Sequence, residues 1–183
     1  MREPEPSDSV FGMRAVTSES FGLLIAYLIP GFIGLWGLSY VSPDIATWIG
    51  TSEAEQQTIG GFLSGTVAAV GAGLTASTLR WLIIDPLHHR TGIRLPEWNF
   101  QDLYARTEAF SVLIEIHYRY YQFYANSIVA MLFAATMRWA IQGVGILEVV
   151  LAVGLVGLFY AASRDTLRKY YDRVGWMLET PTH

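Results

Sequence analysis

The residues with the most chemical capacity sit in two short stretches, Asp85-Pro-Leu-His88-His89-Arg90-Thr-Gly92 and Glu115-Ile-His117-Tyr-Arg119-Tyr-Tyr-Gln-Phe-Tyr-Ala-Asn126. Imidazole and carboxylate groups ligate metals, so His88, His89, Glu115 and His117 form one conceivable donor set. No HExxH or comparable spacing is present, and no metal or cofactor is expected. Asp85, His88, Arg90, Glu115 and Arg119 would also suit a lipid headgroup or phosphate, because the arginine fork matches phosphate oxygens. The plainer reading is that basic residues gather near a lipid surface for topological reasons alone. Glu115 and Arg119 are an i,i+4 pair in the favourable order. Together Asp85, His88, His89, Arg90, Glu115, His117 and Arg119 are the candidate polar site.

Catalytic signatures are otherwise missing. The chain has no cysteine, hence no thiolate nucleophile and no disulfide framework. Gly61-Phe-Leu-Ser64-Gly65 carries one residue too many between glycine and serine for a hydrolase elbow. There is no Walker loop. The expectation is a protein that is not an enzyme.

The elements that must position these residues are unusually apolar. Of 183 residues, 52% are hydrophobic and only 15% charged, against about 25% charged in an ordinary soluble domain. The apolar residues form blocks: Ser20–Pro43 and Gln56–Leu79 hold no charge over 24 residues each, and Tyr120–Met137 holds none over 18. Trp139–Ser163 holds only Glu148 in 25. About 20 apolar residues cross the ~30 Å hydrocarbon core as a helix. The expectation is an all-α polytopic membrane protein, a four-helix bundle with spans near 20–40, 58–82, 120–142 and 144–163. A net charge of −4 speaks against sequence-specific binding of nucleic acid.

Orientation follows from the basic residues. The N-terminal tail, the segment between spans two and three with its flanks, and the C-terminal tail hold 11 of the 12 lysines and arginines. Arg138 alone falls on the other side. Cytoplasmic loops retain such residues, so both termini are expected in the cytoplasm. Trp36, Trp48 and Trp139 then mark the outer interface, and Trp81 and Trp176 the inner one.

The expected organisation is a disordered polar tail over 1–17 and a first transmembrane hairpin over 18–84. A cytoplasmic loop and stalk over 85–119 and a second hairpin over 120–163 come next. An amphipathic cytoplasmic helix over 164–183 ends the chain. Pro30-Gly31 predicts a kink or hinge within span one. Gly61, Gly65, Ala68 or Ala69, Ala72 and Ala76 form a smooth helical face, and Gly154, Gly157 and Ala161 a shorter one, either of which allows close helix approach. One of these faces is expected to join subunits. With the turn centred on Gly143, Arg138 and Glu148 lie at equal depth and pair. Asp85–Gly92 reads as a loop broken by Pro86 and Gly92. Asn99 then caps one continuous helix from about 100 to 142, whose stripe Leu103, Phe110, Leu113, Ile114, His117 and Tyr121 faces Leu167, Tyr170, Tyr171, Val174 and Met177.

The stretches Ser18–Phe32, Asp85–Gly92 and His117–Asn126 resemble a group of small bacterial four-span membrane proteins, and the likeness covers most of the chain. It implies a bacterial inner-membrane location and carries no activity. In size and architecture alone the chain is similar to small membrane effectors and accessories of phage defence. The leading expectation is a non-enzymatic subunit of a homo-oligomeric membrane assembly or pore, with the lipid bilayer as its other partner. The alternatives are an adaptor docking a soluble cytoplasmic protein and, behind it, a lipid-modifying enzyme at the inner interface.

Overall fold

The computed structural model describes residues 22, 24–52, 56–94 and 107–179, and among these the chain is helical, with no strand. A π-helical turn, Leu24–Leu28, leads into α1, Ile29–Ser39. After a short α2, Pro43–Trp48, comes the long α3, Ile59–Arg90. Helix α4, Thr107–Leu113, runs through a second π-helical turn, Ile114–Tyr118, into α5, Arg119–Gln142. Helix α6, Ile146–Glu179, completes the chain.

Helix ends follow local chemistry. The Ser42 hydroxyl accepts the Ile45 amide with Pro43 in the first turn, and the Thr58 hydroxyl accepts the Gly61 amide at 3.0 Å. Gly143 takes φ +84°, a conformation that costs glycine little, and stops α5. Gly92, at φ +101°, turns the chain so that the Ile93 amide reaches the His88 carbonyl at 3.1 Å.

Helix α1 packs against both α3 and α5, while α6 packs on α5, on the 114–118 turn and on α4. The first contact is made by missing side chains. A Cβ on Gly31 would sit 1.7 Å from the Ala69 carbonyl oxygen, and one on Gly73 only 2.0 Å from that of Tyr27. The buried face of α3 runs Gly65, Ala69, Gly73, Ala76, Arg80, Ile84, His88 at steps of three and four. Of the face expected from sequence, Gly65 and Ala76 lie on this line, while Gly61, Ala68 and Ala72 flank it, half-buried. A second cluster of Ile84, Ile93, Tyr121, Ala125, Ile128 and Leu167 joins α3, α5 and α6.

One boundary differs from the sequence reading. Helix α3 does not stop at Asp85 but continues through Pro86 to Arg90. Proline forfeits one bond, to the Leu82 carbonyl, and the flanking turns hold the helix across that single loss. Helix α6 runs without a break from the fourth apolar block into the charged C-terminal segment. Pro30 and Gly31 lie where the π turn Leu24–Leu28 passes directly into α1, and the missing N–H of Pro30 leaves the Ala26 carbonyl without its helical donor. Asn99 and Leu103 lie outside the described residues, as do the N-terminal tail and residues 180–183.

Among the described residues two helices, Ile59–Arg90 and Ile146–Leu178, are long and apolar enough to cross a membrane, and Leu24–Ser39 is a shorter apolar helix.

Candidate functional site

Polar side chains converge where the charged end of α3 meets α5, α6 and the 24–28 turn. On the side facing the turn, the Asn126 amide donates to the Ala26 carbonyl at 2.8 Å, and the Gln122 amide donates to the Tyr27 hydroxyl at 3.2 Å. Both residues are buried. Pro30 explains the first contact: it has no N–H to offer the carbonyl four residues back, which is that of Ala26.

The centre of the layer is ionic. Arg80 is buried, with its Nε 3.7 Å from Asp85 Oδ1 and its guanidinium 5.3 Å above the Tyr121 ring. The Tyr121 hydroxyl donates to the same Asp85 oxygen. Ring and carboxylate both offset the cost of burying the guanidinium. Arg80 Nε and Nη1 are nevertheless buried without a hydrogen-bond acceptor.

On the α6 side, His88 Nε2 lies 3.0 Å from Ser163 Oγ, and both residues are 0% exposed. Ser163 gives its one proton to the Tyr160 carbonyl at 2.9 Å, so His88 Nε2 is the donor of the pair. His88 also stacks on Tyr160 at 4.9 Å between ring centroids. A hydroxyl beside an imidazole is the beginning of a nucleophile and base, but three features oppose that use here. The hydroxyl proton faces away from the imidazole, Nδ1 has no carboxylate to orient it, and neither group meets solvent. The pair pins α3 to α6. A second pin lies beside it, where Arg164 Nη1 and Nη2 reach the Thr91 hydroxyl and carbonyl, each at 2.5 Å.

The candidate residues therefore separate. Asp85 and His88 enter the buried layer, whereas His89 turns aside, its Nδ1 donating to the Ile93 carbonyl at 2.9 Å. Arg90 is exposed. His117, on the 114–118 turn, is buried against the far end of α6. Burial lowers its pKa, with Arg173 and then Lys169 pushing the same way and Asp165 opposing them. Arg119 is half-buried with its stem beside Gly22. The Glu115 side chain lies outside the described residues. Among the described residues no three His, Asp or Glu side chains are placed to hold a metal.

Arg80, Ser163, Arg164, Gln122, Asn126 and Tyr27 were absent from the expected site. Arg80 could have been found by extending the α3 small-residue face one turn past Ala76. The others answer groups 73 to 100 residues away, as Arg164–Thr91 and Asn126–Ala26 do, and no local period reports such pairs.

At the opposite end of the helices, Arg138 Nη2 donates to Glu148 Oε1 across the Gly143 turn, and Nη1 donates to Gln142. No protein-family model, curated protein or solved structure matches the chain.

Proposed function

We propose that this chain is a four-span protein of the bacterial inner membrane, with both termini in the cytoplasm, acting as a non-enzymatic subunit of a homo-oligomeric assembly or pore. The observation that carries the reading is the state of the two small-residue faces. The α3 face is consumed inside the chain by α1 and the 24–28 turn. The α6 face is not: Gly154, Gly157 and Ala161 are exposed, and a Cβ added at either glycine meets nothing within 4 Å. At 3.6 residues per turn Gly154 points about 180° from buried Ser163, and Ala161 about 160°. Small residues on a membrane helix act by letting another backbone approach, and a second copy supplies such a backbone.

The adaptor reading has less surface to draw on. Phe110, Tyr118 and Tyr170 pack together, and Leu167 and Val174 are buried, so much of the stalk stripe is covered by the chain's own α6. The buried, pinned Ser163–His88 pair weighs against the enzyme reading in the same way.

The test is mass measurement in mild detergent and in nanodiscs. The unmodified protein is expected as an oligomer, and Gly157→Leu as a folded monomer. A monomeric unmodified protein in both media overturns the assembly. A cysteine at Thr51 should label from outside the cell and one at Thr182 should not; outside labelling at 182 overturns the orientation.

A further inference from the structure

Above the pins at Ser163 and Thr91, the backbones of α3 and α6 stay apart, and α5 forms the floor between them. The result is a groove of about 860 Å³, walled by Ile84 and Leu87 on one side and Leu151 and Val156 on the other, with Ile128 and Met131 beneath. Tyr160 closes its inner end, and Arg138 and Glu148 stand at its outer end. Along α6 the twelve residues between Glu148 and Tyr160 span ~18 Å. That is more than half of a ~30 Å hydrocarbon core.

The outer end specifies more than an apolar chain. Glu148 is the sole acid in its block, and only its Oε1 is met by Arg138, while Oε2 is buried and accepts nothing. A terminal carboxylate torsion is broad and roughly two-fold, so a modest rotation presents that oxygen to the mouth. What it lacks is a hydrogen-bond donor, preferably cationic, at headgroup depth.

We propose that the groove binds a phospholipid with a primary ammonium headgroup, its acyl chains lying between α3 and α6, its ammonium donating to Glu148 and its phosphate facing Arg138. A quaternary ammonium carries the charge but no N–H, and a glycerol headgroup leaves the lipid anionic beside the carboxylate. Phosphatidylethanolamine therefore outranks phosphatidylcholine, which outranks phosphatidylglycerol. The inference rests on the membrane reading alone and not on assembly.

The experiment is native mass spectrometry of the full chain after exchange against these three lipids with identical acyl chains. The expected result is one retained phosphatidylethanolamine per chain, favoured about tenfold over phosphatidylcholine. Arg138→Gln with Glu148→Gln keeps the groove and should erase the preference, and Ala152→Trp, which fills it, should lower retention of all three lipids. Equal retention of the three by the unmodified protein overturns the proposal, as does a preference that survives the double change. A disulfide between two copies through a cysteine at Ala152 also overturns it, because a second chain then occupies the groove. A monomer that keeps its lipid refutes only the assembly, and an oligomer without headgroup preference refutes only this site.

Discussion

The side-chain amide of Asn126 donates, at 2.8 Å, to the one main-chain carbonyl that Pro30 deprives of its usual helical donor, that of Ala26. Two elements a hundred residues apart are thus matched group for group, and the match makes the two positions energetically dependent. Asn126→Leu leaves a buried carbonyl unsatisfied and should cost about 1–3 kcal/mol. Pro30→Ala restores an N–H to the first helix, so the double variant should recover much of that loss. Simple additivity of the two changes in reversible unfolding would show that the carbonyl and the amide do not depend on one another.

The small-residue face of α3 makes a sharper prediction. At Gly73 an added methyl meets the Tyr27 carbonyl at 2.0 Å, while at Gly71, two residues away, it meets nothing within 4 Å. Gly73→Ala should therefore destabilise by about 3 kcal/mol or more. Gly71→Ala should be neutral or stabilise by up to about 1 kcal/mol through helix propensity. Thermal midpoints in one detergent suffice to compare them, and equal effects would mean that α1 does not approach α3 this closely.

Acid should loosen the stalk. The imidazole of His117 has a pKa lowered by burial, with Arg173 and Lys169 adding to the effect. The unfolded chain, titrating near 6.5, then binds the proton more readily than the folded one. Stability from this group is complete above that pH and is lost as the pH falls below it. Amide exchange across residues 107–118 should accelerate between pH 7 and pH 5 beyond the intrinsic dependence. His117→Gln should flatten the response; an unchanged response would assign it to other groups.

Across the Gly143 turn, Arg138 and Glu148 should behave as a pair. Glu148→Gln alone leaves the arginine with its charge uncompensated, whereas changing both to glutamine removes the problem. The single variant is expected to be about 1 kcal/mol less stable than the double. If the double equals the sum of the singles, the pair makes no net contribution.

Legibility in the sequence tracked the range of the signal. The helical character, the packing face of α3 and the Arg138–Glu148 contact all depend on spacings within about ten residues, which period and turn position report directly. Pro86 misled because a breaker is a local cost, and whether the helix absorbs it depends on the turns around it. The change from apolar to charged residues after Ser163 does not end the helix, because Arg164, Arg168 and Lys169 are as good helix formers as the residues before them. The buried layer was hidden for another reason: Arg80 read as one more basic residue at a membrane edge, and nothing local singles out Ser163 or the amide of Asn126 as a long-range partner. Their meaning comes from Tyr121, His88 and Ala26, which only the tertiary arrangement brings to them.

Helix α6 has a mechanical consequence. It runs unbroken from Ile146 to Glu179, about 51 Å at 1.5 Å per residue. Its N-terminal half carries the Gly154–Ala161 face, and its C-terminal half carries Leu167, Tyr170 and Val174, packed toward α4 and the 114–118 turn. No joint lies between the two halves, so the helix transmits displacement as a stiff rod. A tilt of about 10° about its outer end would carry its far end by about 9 Å, several times the tolerance of a packed aromatic contact. Any neighbour that leans on α6 near Gly154 therefore shifts the position of α4 and the 114–118 turn, and any force on those elements returns along the same rod.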